Sequence, residues 1–182
     1  DLKFRPFATH PDYEQQFDGA TMRGRAIEPL PFDGRVLGDV VHRIRPPIPE
    51  FTIFGGMMVD RVDINHLLNL KTKVASFAHA AKILGRYGQD RIKGSRRGTR
   101  LLMGNALVGR LLLSLRERGV TLLTEAQAVA LHRDGDGAIT GITIKQRGQK
   151  KQLTVRGGVV LASGGFNRDP ELRARLLGTD MQ

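Results

Sequence analysis

Residues 157–168 read GGVVLASGGFNR, an apolar run closing on Ala162-Ser163-Gly164-Gly165, with almost nothing at its tip except backbone. A tip that bare either lets a large group approach the main chain or lets glycine take the positive φ of a tight turn. Tyr13, in His10-Pro-Asp-Tyr, is a second chemical candidate. A tyrosine is a poor base unless neighbours stabilise its phenolate or relay its proton, and the sequence identifies no such partner; a packing or surface tyrosine is the alternative. Gly104-Asn105 opens a strongly periodic stretch, where a helix N-terminus favours negative charge and where Asn105 could equally be the N-cap. Other constellations fail. His10, His42, His66, His79 and His132 lack ligand spacing, and without cysteine a zinc site has little to build on. Asp134, Asp136 and Gly137 imitate the start of a calcium loop, but Ala138 and Lys145 stand where oxygen ligands are needed. Ser163 has no companion base and no Gly-x-Ser-x-Gly elbow.

The elements that must carry these residues fit a globular chain of 182 residues, 40% hydrophobic and 26% charged, either one domain or part of a larger one. The absence of cysteine agrees with a reducing cytosol, no apolar stretch approaches a membrane span, and the expected location is cytoplasmic. Asp1 in place of Met suggests a cut piece. The net charge of +11 invites an anionic partner. Yet the basic stretch from Arg86 to Arg118 offers only Tyr87 as an aromatic platform, which argues against nucleic acid and leaves a solvated or normally covered basic face, or capture of an anionic cofactor or substrate.

The first fifty residues hold most of the prolines and no long apolar period, so they read as a covering segment and not as core. A glycine-broken strand is expected over 51–59, a short helix over 62–70 and an amphipathic helix over 71–85, followed by a basic loop. Met103, Leu107, Leu111 and Leu115 recur at helical spacing, with Gly119 placed to end that helix. Val120–Leu123 reads as a buried strand. Strands over 126–132, 139–145 and 152–156, the first two joined by Asp134-Gly-Asp-Gly137, form an antiparallel meander; Gly158–Leu161 returns as a strand, and Pro170 opens a last helix.

That order of elements resembles the second half of the FAD-binding domain in the fumarate reductase and succinate dehydrogenase flavoprotein superfamily. MGNALVGRLLLSLRERGVTLL, DGDGAITGI and VVLASGGFNRDPEL, with the N-terminal HPDYEQQFDGATMRGRAIEPLPFDGRVLG, are most similar to its 3-ketosteroid Δ1-dehydrogenase branch. The resemblance implies an α/β fragment: part of a Rossmann-like FAD-binding domain with a three-stranded meander. Residues 1–100 would be a proline-rich and helical insertion, and residues 101–182 the second half of that domain. The family's G-x-G-x-x-G pyrophosphate clamp is not found in the sequence, nor is its substrate-capping domain. The chain is therefore expected to be a middle slice that binds FAD weakly or not at all alone.

Carried over residue by residue, the resemblance places Ala162, Ser163, Gly164 and Gly165 under the FAD. It sets the backbone of Ala128 and Val129 against the adenine, although an ordinary strand explains that pair as well. Gly104 and Asn105 would border the flavin ring; the steroid branch more often has a second glycine where Asn105 stands. Tyr13 would help remove the substrate proton. The implied protein dehydrogenates a C–C bond next to a carbonyl, with a 3-ketosteroid as substrate and hydride transfer to flavin. A fumarate-reductase-like flavoprotein acting on a carboxylate is the alternative, and a basic module for polyanions or nucleic acid is the alternative from another class. The expected partners are a small-molecule substrate and the missing parts of the same chain. An open edge at Gly158–Leu161 would favour self-association.

Overall fold

The computed structural model describes residues 2–7 and 10–178. By its internal contacts the chain divides into two compact units, Asp1–Thr121 and Leu122–Gln182, each mixing helix with antiparallel strand. In chain order the N-terminal unit holds β1 (Phe4–Pro6), β2 (Ile27–Pro29), β3 (Phe32–Asp33), a 3-10 helix over Gly34–Arg43, β4 (Thr52–Ile53) and β5 (Met57–Met58). It continues with α1 (Arg61–Leu68), α2 (Val74–Ile92), β6 (Arg100–Leu101) and α3 (Met103–Glu117). The strands pair as antiparallel twos: β1 with β2, β3 with β6 and β4 with β5.

The main core lies where the sequence pattern predicts only a covering segment. Phe32, Leu37, Val41 and Ile44 are buried with Leu101 and Ala106, because the 3-10 helix turns Leu37 and Val41 towards α3 and β6. Fully burying a side chain such as Leu37 contributes about 1.5–3 kcal/mol, so this proline-flanked stretch is structural and not a wrapping. Gly109, on the buried face of α3, has to be small: a Cβ there would stand 2.7 Å from Cδ1 of Phe32. The basic loop expected after residue 85 begins later, since α2 runs on to Ile92; the loop itself spans 93–99, with Gly94 turning the chain at φ 84°.

Much of the positive charge is used inside the unit. Residues 30–45 run mostly without sheet partners, so their carbonyls need donors. Arg97 Nη2 donates to the carbonyls of Val41 (2.9 Å) and Ile44 (2.5 Å). Arg116 donates to those of Leu37 and Val36, both at 3.1 Å, and Arg110 to that of Pro31 at 3.1 Å. A count of charges reads these arginines as a basic face, whereas they act as side-chain substitutes for a missing strand.

The C-terminal unit contains β7 (Ala126–Arg133), β8 (Ile139–Gln146), β9 (Gln149–Thr154), a 3-10 turn over Phe166–Arg168 and α4 (Pro170–Leu177). The three strands form one antiparallel sheet in chain order. Asp134 closes the first hairpin by accepting from the amides of Asp136 (3.1 Å) and Ala138 (2.9 Å), which confirms a turn at the calcium-loop imitation. Pro170 stands at the start of α4, with Asp169 capping it through the Leu172 amide at 3.0 Å.

Two expected strands do not form. Residues 120–123 and 158–161 are irregular and, apart from the half-buried Val159, exposed, with Val160 91% and Leu161 69% accessible. The reason is physical: a strand exists only through its ladder, and no strand among the described residues pairs with either segment. Apolar residues suited to a fully buried strand therefore stand in solvent.

Candidate functional site

In the C-terminal unit, Ala162 to Gly165 form an exposed irregular segment that ends at the 3-10 turn. Gly164 has φ 86°, a conformation L side chains rarely adopt, so its glycine is explained by the turn alone. Gly165 is different. Its backbone is extended (φ −96°, ψ −175°), and an added Cβ would meet nothing within 4 Å, so neither conformation nor packing within the chain asks for glycine there. Ala128 and Val129 lie on β7, where the register passes from Ala128↔Ile144 to Ala130↔Thr143. Val129 is thus the bulged residue, 46% exposed, outside the ladder that occupies its neighbours. The ordinary-strand reading suits Ala128 and not Val129.

In the N-terminal unit, Gly104 and Asn105 lie in the first turn of α3, whose N-cap is Leu102, a residue without a capping side chain. Asn105 is not the cap that its position in sequence suggests. Its Nδ2 donates 2.8 Å to the carbonyl of Arg45, tying the helix to the segment that follows the 3-10 helix. The opening amides of α3 consequently have no side-chain cap and retain the partial positive charge of a helix N-terminus. Met103 enters the helix at φ 47°, a strained value for a residue other than glycine, and Gly104 is exposed with open space at its Cβ position.

Tyr13 is 94% exposed, and its recorded contact is edge-on to the ring of His10, 5.9 Å between centroids. The loop that carries it is pinned by Asp12, whose carboxylate accepts from the Thr21 amide at 2.9 Å and pairs with Arg25 at 3.1 Å. A cavity of about 400 Å³ has His10 and Met103 in its walls, with Phe7, Ile27, Phe51 and Ile64 supplying apolar surface. It thereby links the neighbour of Tyr13 to the open end of α3. Glu28 and Asp60 also line it, and both carboxylates are held by Arg5, at 2.6 Å and 3.6 Å.

Sequence spacing overlooked one cluster. Asp60 and Asp63 form a reciprocal capping box at the start of α1, with backbone-to-carboxylate distances of 3.0 and 2.9 Å. Asp63, fully buried, also receives His79 Nε2 at 2.8 Å and Arg100 at 2.7 Å. Burial opposes its ionisation, but the hydrogen bonds from Arg100, His79 and the Asp60 amide together outweigh burial and hold its carboxyl below the usual carboxylate range. His79 stacks on His66, with 4.3 Å between centroids, and His66 Nδ1 lies 3.1 Å from the buried Ser76 hydroxyl. Its signal was Asp60, Asp63 and His66 at three-residue intervals on one helical face. Through these bonds the cluster fastens α1 to α2 and to β6.

Within the N-terminal unit the uncapped start of α3 is open to an anion, and within the C-terminal unit the glycine tip is bare backbone. Comparison with known proteins identifies the family. The profile of the family described as "FAD binding domain" matches residues 4–181. A 4-oxocyclohex-2-ene-1-carboxylate 5-dehydrogenase from Sinomonas cyclohexanicum is 34% identical over 170 residues, 93% of this chain and 28% of that one. A 3-oxosteroid 1-dehydrogenase from Comamonas testosteroni is 29% identical over 180 residues, 97% of this chain and 31% of that one. The crystal structure of 3-ketosteroid delta1-dehydrogenase from Sterolibacterium denitrificans, in complex with 1,4-androstadiene-3,17-dione, superposes with a TM-score of 0.74 at 34% identity. That likeness covers 96% of this chain and 32% of the other, so the chain spans about three tenths of the length of the relatives it matches. With the match running almost from end to end, the chain belongs to the FAD binding domain family.

Proposed function

We propose that the chain is an internal part of an FAD-dependent oxidoreductase that dehydrogenates a C–C bond next to a carbonyl, with a 3-ketosteroid as substrate. The observation that carries this reading is Gly165, a glycine that neither its backbone conformation nor its neighbours require. Bound FAD would supply the hydride acceptor; the chain's residues supply binding and orientation. Gly164 and Gly165 leave the main chain open to close approach, Val129 offers backbone groups outside its ladder, and the first turn of α3 at Gly104 and Asn105 presents its partial positive charge to an anion. Tyr13 serves at the proton side. Its exposure means that the described residues do not themselves desolvate it, and the capping part of the full-length protein would complete its surroundings. The apolar cavity between His10 and Met103 is suited to a ring of the substrate.

The two irregular apolar segments, 120–123 and 158–161, fit as inner strands of a Rossmann-like sheet whose partners lie elsewhere in the full-length protein. Without them and the pyrophosphate clamp, the 182 residues alone bind FAD weakly or not at all. A second reading, a smaller cyclic ketone bearing a carboxylate, is favoured by the similarity to the oxocyclohexene carboxylate dehydrogenase. Full-length protein assayed with androst-4-ene-3,17-dione and with 4-oxocyclohex-2-ene-1-carboxylate separates the two. Turnover of the steroid supports the first reading, turnover of the acid alone supports the second, and a colourless protein inert towards both defeats the proposal.

A further inference from the structure

The N-terminal unit contains a second and larger cavity, about 760 Å³, that neither reading of the reaction uses. Its walls are glycines, prolines and Thr52 together with His42, Arg96 and Arg97, and none of its lining residues carries a carboxylate. The smaller cavity differs in holding two carboxylates, Glu28 and Asp60, both already paired with Arg5. Arg97 is the anchor. Its Nη2 is occupied by two backbone carbonyls, its Nη1 is buried without an acceptor, and no ion pair involves it among the described residues. A half-buried guanidinium facing only neutral dipoles is incompletely compensated. Burial accordingly pushes the Arg97 guanidinium below its usual range. Arg96 beside it forms no side-chain hydrogen bond or ion pair among the described residues, so neither charge has a counter-ion among them.

From this lining, which holds two arginines and no carboxylate, and from the unmatched guanidinium we infer that the cavity is a binding site for a small oxyanion, a carboxylate or a phosphate, held between Arg96 and Arg97 with His42 at its edge. Gly55, Gly56 and Gly94 keep its rim free of side chains, and Gly56 also brings its backbone close to Arg97: a Cβ there would stand 2.9 Å from the Cβ of Arg97. A planar guanidinium pair matches two oxygens of either anion. The inference does not depend on the flavin reading, because the residues concerned lie apart in sequence from those assigned to FAD.

The test is calorimetric titration of the full-length protein with inorganic phosphate and, separately, with acetate, each at ionic strength held constant with sodium chloride. Saturable binding of at least one anion is expected, and which of them binds names the oxyanion. Arg96→Gln, which removes no internal hydrogen bond, should weaken binding roughly tenfold while leaving the melting temperature without anion unchanged. Arg97→Met should abolish binding; since it also frees the Val41 and Ile44 carbonyls, Arg96→Gln decides the matter if that variant does not fold. Absence of saturable binding by either anion, or equal affinity in wild type and Arg96→Gln, overturns the inference.

Discussion

The two units solve the same problem in opposite ways. In the N-terminal unit, short strands and a long 3-10 helix leave many backbone groups without ladders, and arginines, the buried Asp63 and a shared core hold the unit together. In the C-terminal unit the ladders are long and regular, yet Ile144 is the one buried hydrophobic among its described residues, and Val160 and Leu161 stand exposed. One unit is held by internal polar fastenings; the other presents regular backbone and apolar side chains with little of its own to bury.

Four measurements on the chain can break that contrast, and the largest effect belongs to the fastenings. Asp63→Ala should cost the N-terminal unit about 3–5 kcal/mol in urea unfolding, because Arg100 and His79 are left facing a cavity without their acceptor. A loss below about 1 kcal/mol, the scale of an exposed ion pair, would show the cluster to be ornamental. Acid should act in the same place. Asp63 is held below its unfolded value, and so is Asp90, where burial is outweighed by hydrogen bonds from Thr99 and Arg35. Both therefore stabilise the fold above the unfolded carboxylate range near pH 4, and that contribution disappears as pH falls through their lower folded values. Tertiary signal from the N-terminal unit should be level between pH 5 and 7 as far as these groups decide it, and should collapse in acid; an Asp63→Asn, Asp90→Asn double variant should lose that acid limb.

Packing gives the next effect. Gly109→Ala places a methyl against Phe32 and should cost about 1–3 kcal/mol, read as a lower urea midpoint; no change would mean that α3 is not packed as described. The smallest effect belongs to the other unit. Val160→Ser should alter the stability of the 182-residue chain by less than about 0.5 kcal/mol, since that side chain is already in water. The same substitution in the full-length protein should cost several times more if Val160 joins an inner strand there, and equal costs in the two contexts would remove the proposed sheet.

What the sequence made legible was local. The α3 register, its glycine stop, the Asp134 hairpin and the Pro170 helix start all follow from contacts within a few residues, and each is found. Gly119 has φ 67° and the Val120 amide reaches back to the Leu115 carbonyl at 3.0 Å, as a glycine stop requires. What was not legible depends on partners distant in the chain. Nothing in Val120–Leu123 or Gly158–Leu161 says whether a ladder is available. The sign of an arginine does not reveal that Arg116 meets the Leu37 carbonyl 79 residues away, and Asn105 read as a cap because its bond to Arg45, 60 residues distant, is invisible in sequence. The site divides along the same line: the glycine tip was visible as a motif, but only the structure separates Gly164, needed for its φ, from Gly165, needed for nothing within the chain.

That separation allows the most direct test of the central claim, flavin content of the purified full-length protein with and without Gly165→Val. The account predicts a yellow wild type with stoichiometric FAD and a variant that folds with an unchanged apoprotein melting curve but binds FAD at least about tenfold more weakly. A wild type without flavin, or a variant that retains FAD at wild-type affinity, would contradict it.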